Sequence, residues 1–128
     1  TEPDGNPLEA WLASSTRLLG MLPEDLLVLP AHQSPFTGAR VRLNQIIDSH
    51  RLALANLYDL LMEPKLLPEC FGCLFGREIG DGEIQMATGE TVAHLNYLLH
   101  RGNITRRVNA DDRYEYQSDP EARYIDAE

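Results

Sequence analysis

Imidazoles and thiols are the side chains of this sequence best suited to chemistry, and they fall in a few places. His32 follows the apolar run Leu26-Leu27-Val28-Leu29 and Pro30. Cys70 and Cys73 bracket Phe71-Gly72. His94 and His100 lie further on, with Glu90 four residues before His94, and His50 stands alone in mid-chain. A run without polar alternation reads as a strand buried on both faces. A metal-capable side chain just past the end of such a strand sits where α/β proteins place their sites. A catalytic zinc, however, needs about three protein ligands. The chain offers His32 no acidic or histidine cluster to share one.

The two cysteines and two later histidines spell C-x2-C-x20-H-x5-H, which invites a zinc-finger reading. The gap is long for that motif. On one helix His94 and His100 would also point about 120° apart. Phe71 between the thiols favours a core-facing short helix instead, with inert thiols rather than a metal or redox pair. Glu90 and His94 read as a surface pair worth a few tenths of a kcal/mol, roughly. His50 falls within an apolar stripe and reads as a core histidine hydrogen-bonded to a neighbour. Arg101, Arg106, Arg107 and Arg113 form a basic cluster that could touch phosphate. Glu83 and Glu90 on the preceding helix, and Asp111, Asp112 and Glu115 beside the arginines, oppose that use.

The elements that must position these groups follow from punctuation and period. Asn6-Pro7-Leu8-Glu9 is a helix start, with Asn6 as N-cap and Pro7 at the first helical position. Leu8, Trp11, Leu12, Ser15, Leu18 and Leu19 then recur at helical spacing up to Gly20 and Pro23. The strand Leu26–Leu29 and a loop to Gly38 come next. The strongest helix runs from Ala39 to Met62, its stripe formed by Leu43, Ile46, Ile47, His50, Leu54, Leu57, Tyr58 and Leu61. Pro64 prevents its continuation. A short helix over 66–75 should bury Phe71, Leu74 and Phe75. A further helix spans Glu83 to Arg101, with Gly102 as its cap. The segments 103–108 and 113–116 alternate as a hairpin around Asn109-Ala110-Asp111-Asp112. From Ser118 the chain turns acidic and should fray.

Composition bounds the function. The 128 residues include 11 basic and 20 acidic side chains, a net charge of −9, with a hydrophobic share of 43%. That charge opposes nucleic acid and anionic membrane surfaces. No apolar run is long enough to span a membrane. Two cysteines in one unit make no secreted disulfide framework, so a cytoplasmic setting is expected.

Three segments together resemble the C-terminal end of a metallo-β-lactamase-fold hydrolase. Leu29-Pro30-Ala31-His32 is similar to that fold's last metal-ligand motif, usually Pro-Gly-His-Gly. Asp48-Ser49-His50-Arg51 resembles the His-Arg segment opening the family's C-terminal helical domain. Glu90-Thr91-Val92-Ala93-His94-Leu95, with Gly102-Asn103-Ile104, resembles its later helix and wing. Ala31 and Gln33 stand where the family has glycines. The resemblance spans residues 6 to 117. It implies an αβ/βα sandwich binding two metals, commonly zinc, with most ligands upstream of this chain and only the last, His32, within it.

The expectation is therefore a mainly α (α+β) chain: a winged-helix-like helical domain with a C-terminal β-hairpin, preceded by a helix–strand remnant of the sandwich. Residues 1–38 would be the remnant, 39–117 the helical domain and 118–128 an acidic tail. The intact parent would hydrolyse an ester or thioester with a metal-bound hydroxide, since zinc brings its water to a pKa of about 7. Zinc or a similar divalent metal belongs to that parent and not to this piece, which should be inactive alone. The expected partners are the rest of its own catalytic domain, a small-molecule substrate, and a second copy if the helical domain supports dimerisation. The alternative is a winged-helix regulatory or protein-interaction module without catalysis. Leu26–Leu29, deprived of its sheet, should pair with another molecule or lose strand geometry.

Overall fold

A computed structural model describes residues 5–21, 38–75 and 80–125. The expected strand at Leu26–Leu29, and His32 after it, lie outside the described residues.

The first helix, α1 (Pro7–Met21), starts as its sequence demands. The Asn6 side chain accepts the Glu9 backbone N–H at 3.4 Å and donates back to the Glu9 carboxylate at 2.7 Å. One of the backbone N–H groups left open at a helix start is thereby satisfied, and the second bond ties the two side chains together. Leu8, Leu12 and Ser15 turn inward, while Trp11 and Leu18 are 37% and 49% exposed. The long helix α2 (Ala39–Leu60) begins after Gly38, whose φ of +80° is left-handed and suits a residue without Cβ. Ile47, Leu54, Leu57, Tyr58 and Leu61 form its buried stripe.

Lys65–Leu66 make a two-residue strand, β1, too short for its pattern to be read in the sequence. A 3-10 turn (Leu67–Cys70) and the short helix α3 (Phe71–Phe75) follow. The Glu69 carboxylate accepts the Leu66 N–H at 2.9 Å. The tight turn changes which side faces in: Cys70 is fully buried, whereas Phe71, Leu74 and Phe75, expected in the core, are only half-buried. A second 3-10 turn (Asp81–Glu83) leads into α4 (Ile84–His100). It ends at Gly102, φ +77°, where the Gly102 and Asn103 N–H groups close back on the Leu99 and Leu98 carbonyls, both at 3.0 Å.

Strands β2 (Ile104–Val108) and β3 (Tyr114–Ser118) form the expected antiparallel hairpin, Arg106 facing Tyr116. Asn109 builds its loop, its side-chain oxygen accepting the Asp111 and Arg113 N–H groups. Asp112 takes the left-handed position, φ +62°. β1 joins the other edge of β3, giving the sheet order β1-β3-β2.

The described residues beyond β3, 119–125, do not fray as their acidity suggests. Ser118 is buried, its hydroxyl donating to the Tyr58 carbonyl at 2.6 Å and its N–H to the Leu61 carbonyl at 2.7 Å. The Asp119 N–H donates to the Asn103 carbonyl, and the Asn103 amide donates to the Ala122 carbonyl. Backbone bonds to the ends of α2 and α4 outweigh the local charge, because buried peptide groups must find partners.

One core serves all these elements. Leu8 and Leu12 of α1, Ile47, Leu54 and Leu57 of α2, Leu95 and Leu98 of α4, Ile104 of β2 and Tyr116 of β3 belong to a single hydrophobic cluster. The architecture among the described residues is mainly helical, with a small antiparallel sheet.

Candidate functional site

Where α2 crosses α4, two histidines from the apolar faces of the two helices meet. His50 Nδ1 lies 3.3 Å from His94 Nε2, with ring centroids 5.4 Å apart. His94 Nδ1 lies 2.7 Å from the Glu90 carbonyl one turn earlier. A carbonyl only accepts, so Nδ1 of His94 carries the hydrogen and, in the neutral ring, Nε2 is bare. The hydrogen between the rings then belongs to His50 Nδ1. The bonding runs from His50 to His94 to the α4 backbone, and it leaves the second nitrogen of His50 unprotonated when that ring is neutral.

His94 is 3% exposed. Burial pushes its imidazole below the usual histidine range, and the neighbouring His50 adds to that. The hydrogen bond to the Glu90 carbonyl and the Glu90 charge pull the other way. The Glu90–His94 pair expected on the surface is therefore a correction: His94 is interior and bonds the backbone of Glu90. The helical stripe of α4 turns position 94 toward α2, so its ring cannot lie along the solvent face.

Trp11 of α1 closes the site from the third side. Its indole meets the His50 ring nearly edge to face, centroids 4.8 Å apart. The N-terminal end of α1 is tied to the same place by the Asn96 amide, which donates to the Gly5 carbonyl at 3.1 Å. A cavity of about 710 Å³ opens between α1 and α4 beside these rings. It is lined by Leu8, Trp11, His50, Met86, Glu90 and Ala93, among others. The sequence placed His50 on an apolar stripe but read His94 as a surface residue; its spacing three after Thr91 and four before Leu98, both buried, is the signal that would have found the pairing. The period shows which face each occupies but not how the helices cross.

The remaining candidates stay apart from this junction. Cys70 and Cys73 are free thiols. Burial, with Cys73 and Glu69 nearby, pushes the Cys70 thiol up to about 12, and burial also raises that of Cys73. Such groups are not thiolates at neutral pH. His94 is committed to Glu90 and His50, so the zinc-finger spacing has no structural counterpart. The arginines do not act as one cluster. Arg101 lies over the Tyr97 and Tyr124 rings, Arg106 lies over Tyr114, and Arg107 pairs with Glu115 at 3.0 Å. Among the described residues no group of three or more His, Cys, Asp or Glu side chains is arranged to hold a metal. The described residues therefore do not fit a metal centre, and His32 lies outside them.

These features define a class: a helical domain with a terminal hairpin, whose interior polar groups join its helices. The chain belongs to the metallo-beta-lactamase-like, C-terminal domain family, whose sequence model matches residues 54–119, just over half of the chain. Two solved structures extend the likeness beyond that stretch. A beta-lactamase domain protein from Burkholderia ambifaria is 32% identical, with a TM-score of 0.85 over 92% of this chain. A metallo-beta-lactamase family protein from Thermus thermophilus is 30% identical, with a TM-score of 0.71 over 89%. The chain spans only 35% and 34% of those two proteins. No curated protein matches.

Proposed function

We propose that this chain is the C-terminal part of a metal-dependent hydrolase of the metallo-β-lactamase superfamily. The intact protein would cleave an ester or thioester, and the 128 residues alone would be inactive. The supporting observation is the extent of the likeness. It reaches over 92% of this chain, beyond the family match at 54–119, while covering 35% of a beta-lactamase domain protein. In this reading residues 1–38, with α1, are the end of the catalytic domain, and 39–117 are a winged-helix-like accessory domain. That domain walls the substrate entrance or supports dimerisation. His32 is the one metal ligand assigned to this chain, for zinc or a similar divalent ion. The described residues supply no centre of their own, so no catalytic step is assigned to them. The setting is taken to be cytoplasmic.

The test is hydrolysis of a panel of nitrophenyl esters and acyl thioesters by the intact, zinc-loaded protein. Measurable turnover, abolished by His32→Ala with the fold retained, supports the reading. An intact protein that cleaves none of the panel, or whose H32A variant is fully active, overturns it.

A further inference from the structure

We propose that His50 and His94 form a two-proton latch at the junction of α1, α2 and α4, closed with no proton or one and opened by the second. The argument is one of counting hydrogens. In the closed site the Glu90 carbonyl takes the His94 Nδ1 hydrogen, and His94 Nε2 takes the hydrogen of His50 Nδ1. A first added proton has a place that disturbs nothing, the second nitrogen of His50, because the resulting imidazolium still donates from Nδ1. A second proton has only His94 Nε2. There it would face the Nδ1 hydrogen of His50 across 3.3 Å, donor against donor. Two cations with ring centroids 5.4 Å apart would meet at a junction where His94 is 3% exposed and His50 is half-buried. Like charges at that range with little water between them repel strongly. The rings must part.

Their separation has a defined consequence, because α1 rests on one of them. Trp11 packs on His50 at 4.8 Å, and the Asn96 tie to Gly5 sits on the same side of α4. Among the described residues the groups facing the pair are few. From α1 comes the uncharged Trp11, from α2 His50 itself, and from α4 the Glu90 carboxylate. Of the described residues lining the adjoining cavity, Glu90 is also the one carboxylate, and it favours the first proton. Opening therefore loosens α1, with Leu8 and Leu12, from the α2–α4 side of the shared core, while the α2, α4 and hairpin members of that core, such as Leu57, Leu98 and Tyr116, keep one another as partners.

Trp11 is the only tryptophan in the chain, so its fluorescence reports this contact alone. The full chain is titrated from pH 8 to pH 4.5, following Trp11 emission, far-UV circular dichroism and the imidazole nitrogen shifts. The expected result is two macroscopic steps separated by more than about one pH unit, as for strongly coupled sites. In the first, emission is quenched by the His50 imidazolium in contact. In the second, it shifts to the red while the helical signal persists. His94→Gln, which cannot take the second proton, keeps the first step and loses the second. Three outcomes overturn the latch: both imidazoles titrating together, a red shift that coincides with loss of the helical signal, or a red shift that survives in H94Q. If that variant does not fold, the nitrogen titration of the unaltered chain decides.

Discussion

The properties of the titratable side chains follow from where helical phase places them. His94 is neutral in the folded chain at pH values where a free histidine is charged. As pH falls below the ordinary value of 6.5, the unfolded chain therefore binds more protons than the folded one. His94 contributes stability that is complete above 6.5 and is lost as pH falls toward its depressed folded value. Urea midpoints should drop between pH 7.5 and 5.5, and H94Q should flatten that slope. Cys70, pushed up to about 12, should react with a thiol reagent at pH 8 only after unfolding. Stopped-flow labelling in and out of denaturant checks this. The sequence made the cysteines legible as inert, although its ground, a core-facing Phe71 between them, does not hold, since Phe71 is half-buried. It did not show that Cys70 alone would be fully buried, since a 3-10 turn has no periodic signature over four residues. His50 was legible as a hydrogen-bonded histidine, but it is half-buried beside a cavity rather than in the core, and the identity of its partner depended on a helix crossing that period cannot give.

At the level of elements, caps and stripes carried the information. Asn6-Pro7 and Gly102 marked the bounds of α1 and α4 because open backbone groups and a left-handed residue impose particular side chains there. The helix expected from Ala39 to Met62 ends at Leu60. β1 and the ordered stretch after Ser118 were not legible. Both are held by long-range backbone bonds to Tyr116, Leu61 and Asn103, which leave no local pattern. Two substitutions test this division. Leu54→Ala removes a fully buried side chain of the α2 stripe and should cost about 2–5 kcal/mol. Ser118→Ala leaves the Tyr58 carbonyl without its buried donor and should cost about 1–3 kcal/mol. Both are read as equilibrium unfolding in urea. A cost near zero for S118A would mean that the Ser118 hydroxyl adds nothing and that the backbone bonds alone hold the C-terminal stretch.

Among the described residues, α1 packs into one core with α2, α4 and the hairpin. α1 lies outside the stretch matched by the family model, and the likeness to longer proteins brings it with the helical domain nonetheless. The physical reason is that α1 has no other partner among the described residues. It has 15 residues, near the lower limit for a helix to persist alone in water. Its Leu8 and Leu12 are 6% and 8% exposed because α2 and α4 cover them. Its stability is thus borrowed from the core it completes. Trp11 is on α1, whereas most of the far-UV signal comes from α2 and α4, so the two probes view the two pieces separately. At pH 7.5, where the His50–His94 bond is intact, thermal unfolding followed by Trp11 emission and by circular dichroism should give coincident midpoints. A Trp11 transition several degrees below the helical one at that pH would mean that α1 is merely laid against the domain. Coincidence at pH 7.5 that splits as the pH is lowered below the ordinary histidine range, with the Trp11 transition the lower of the two, is what one shared core with a protonatable junction requires.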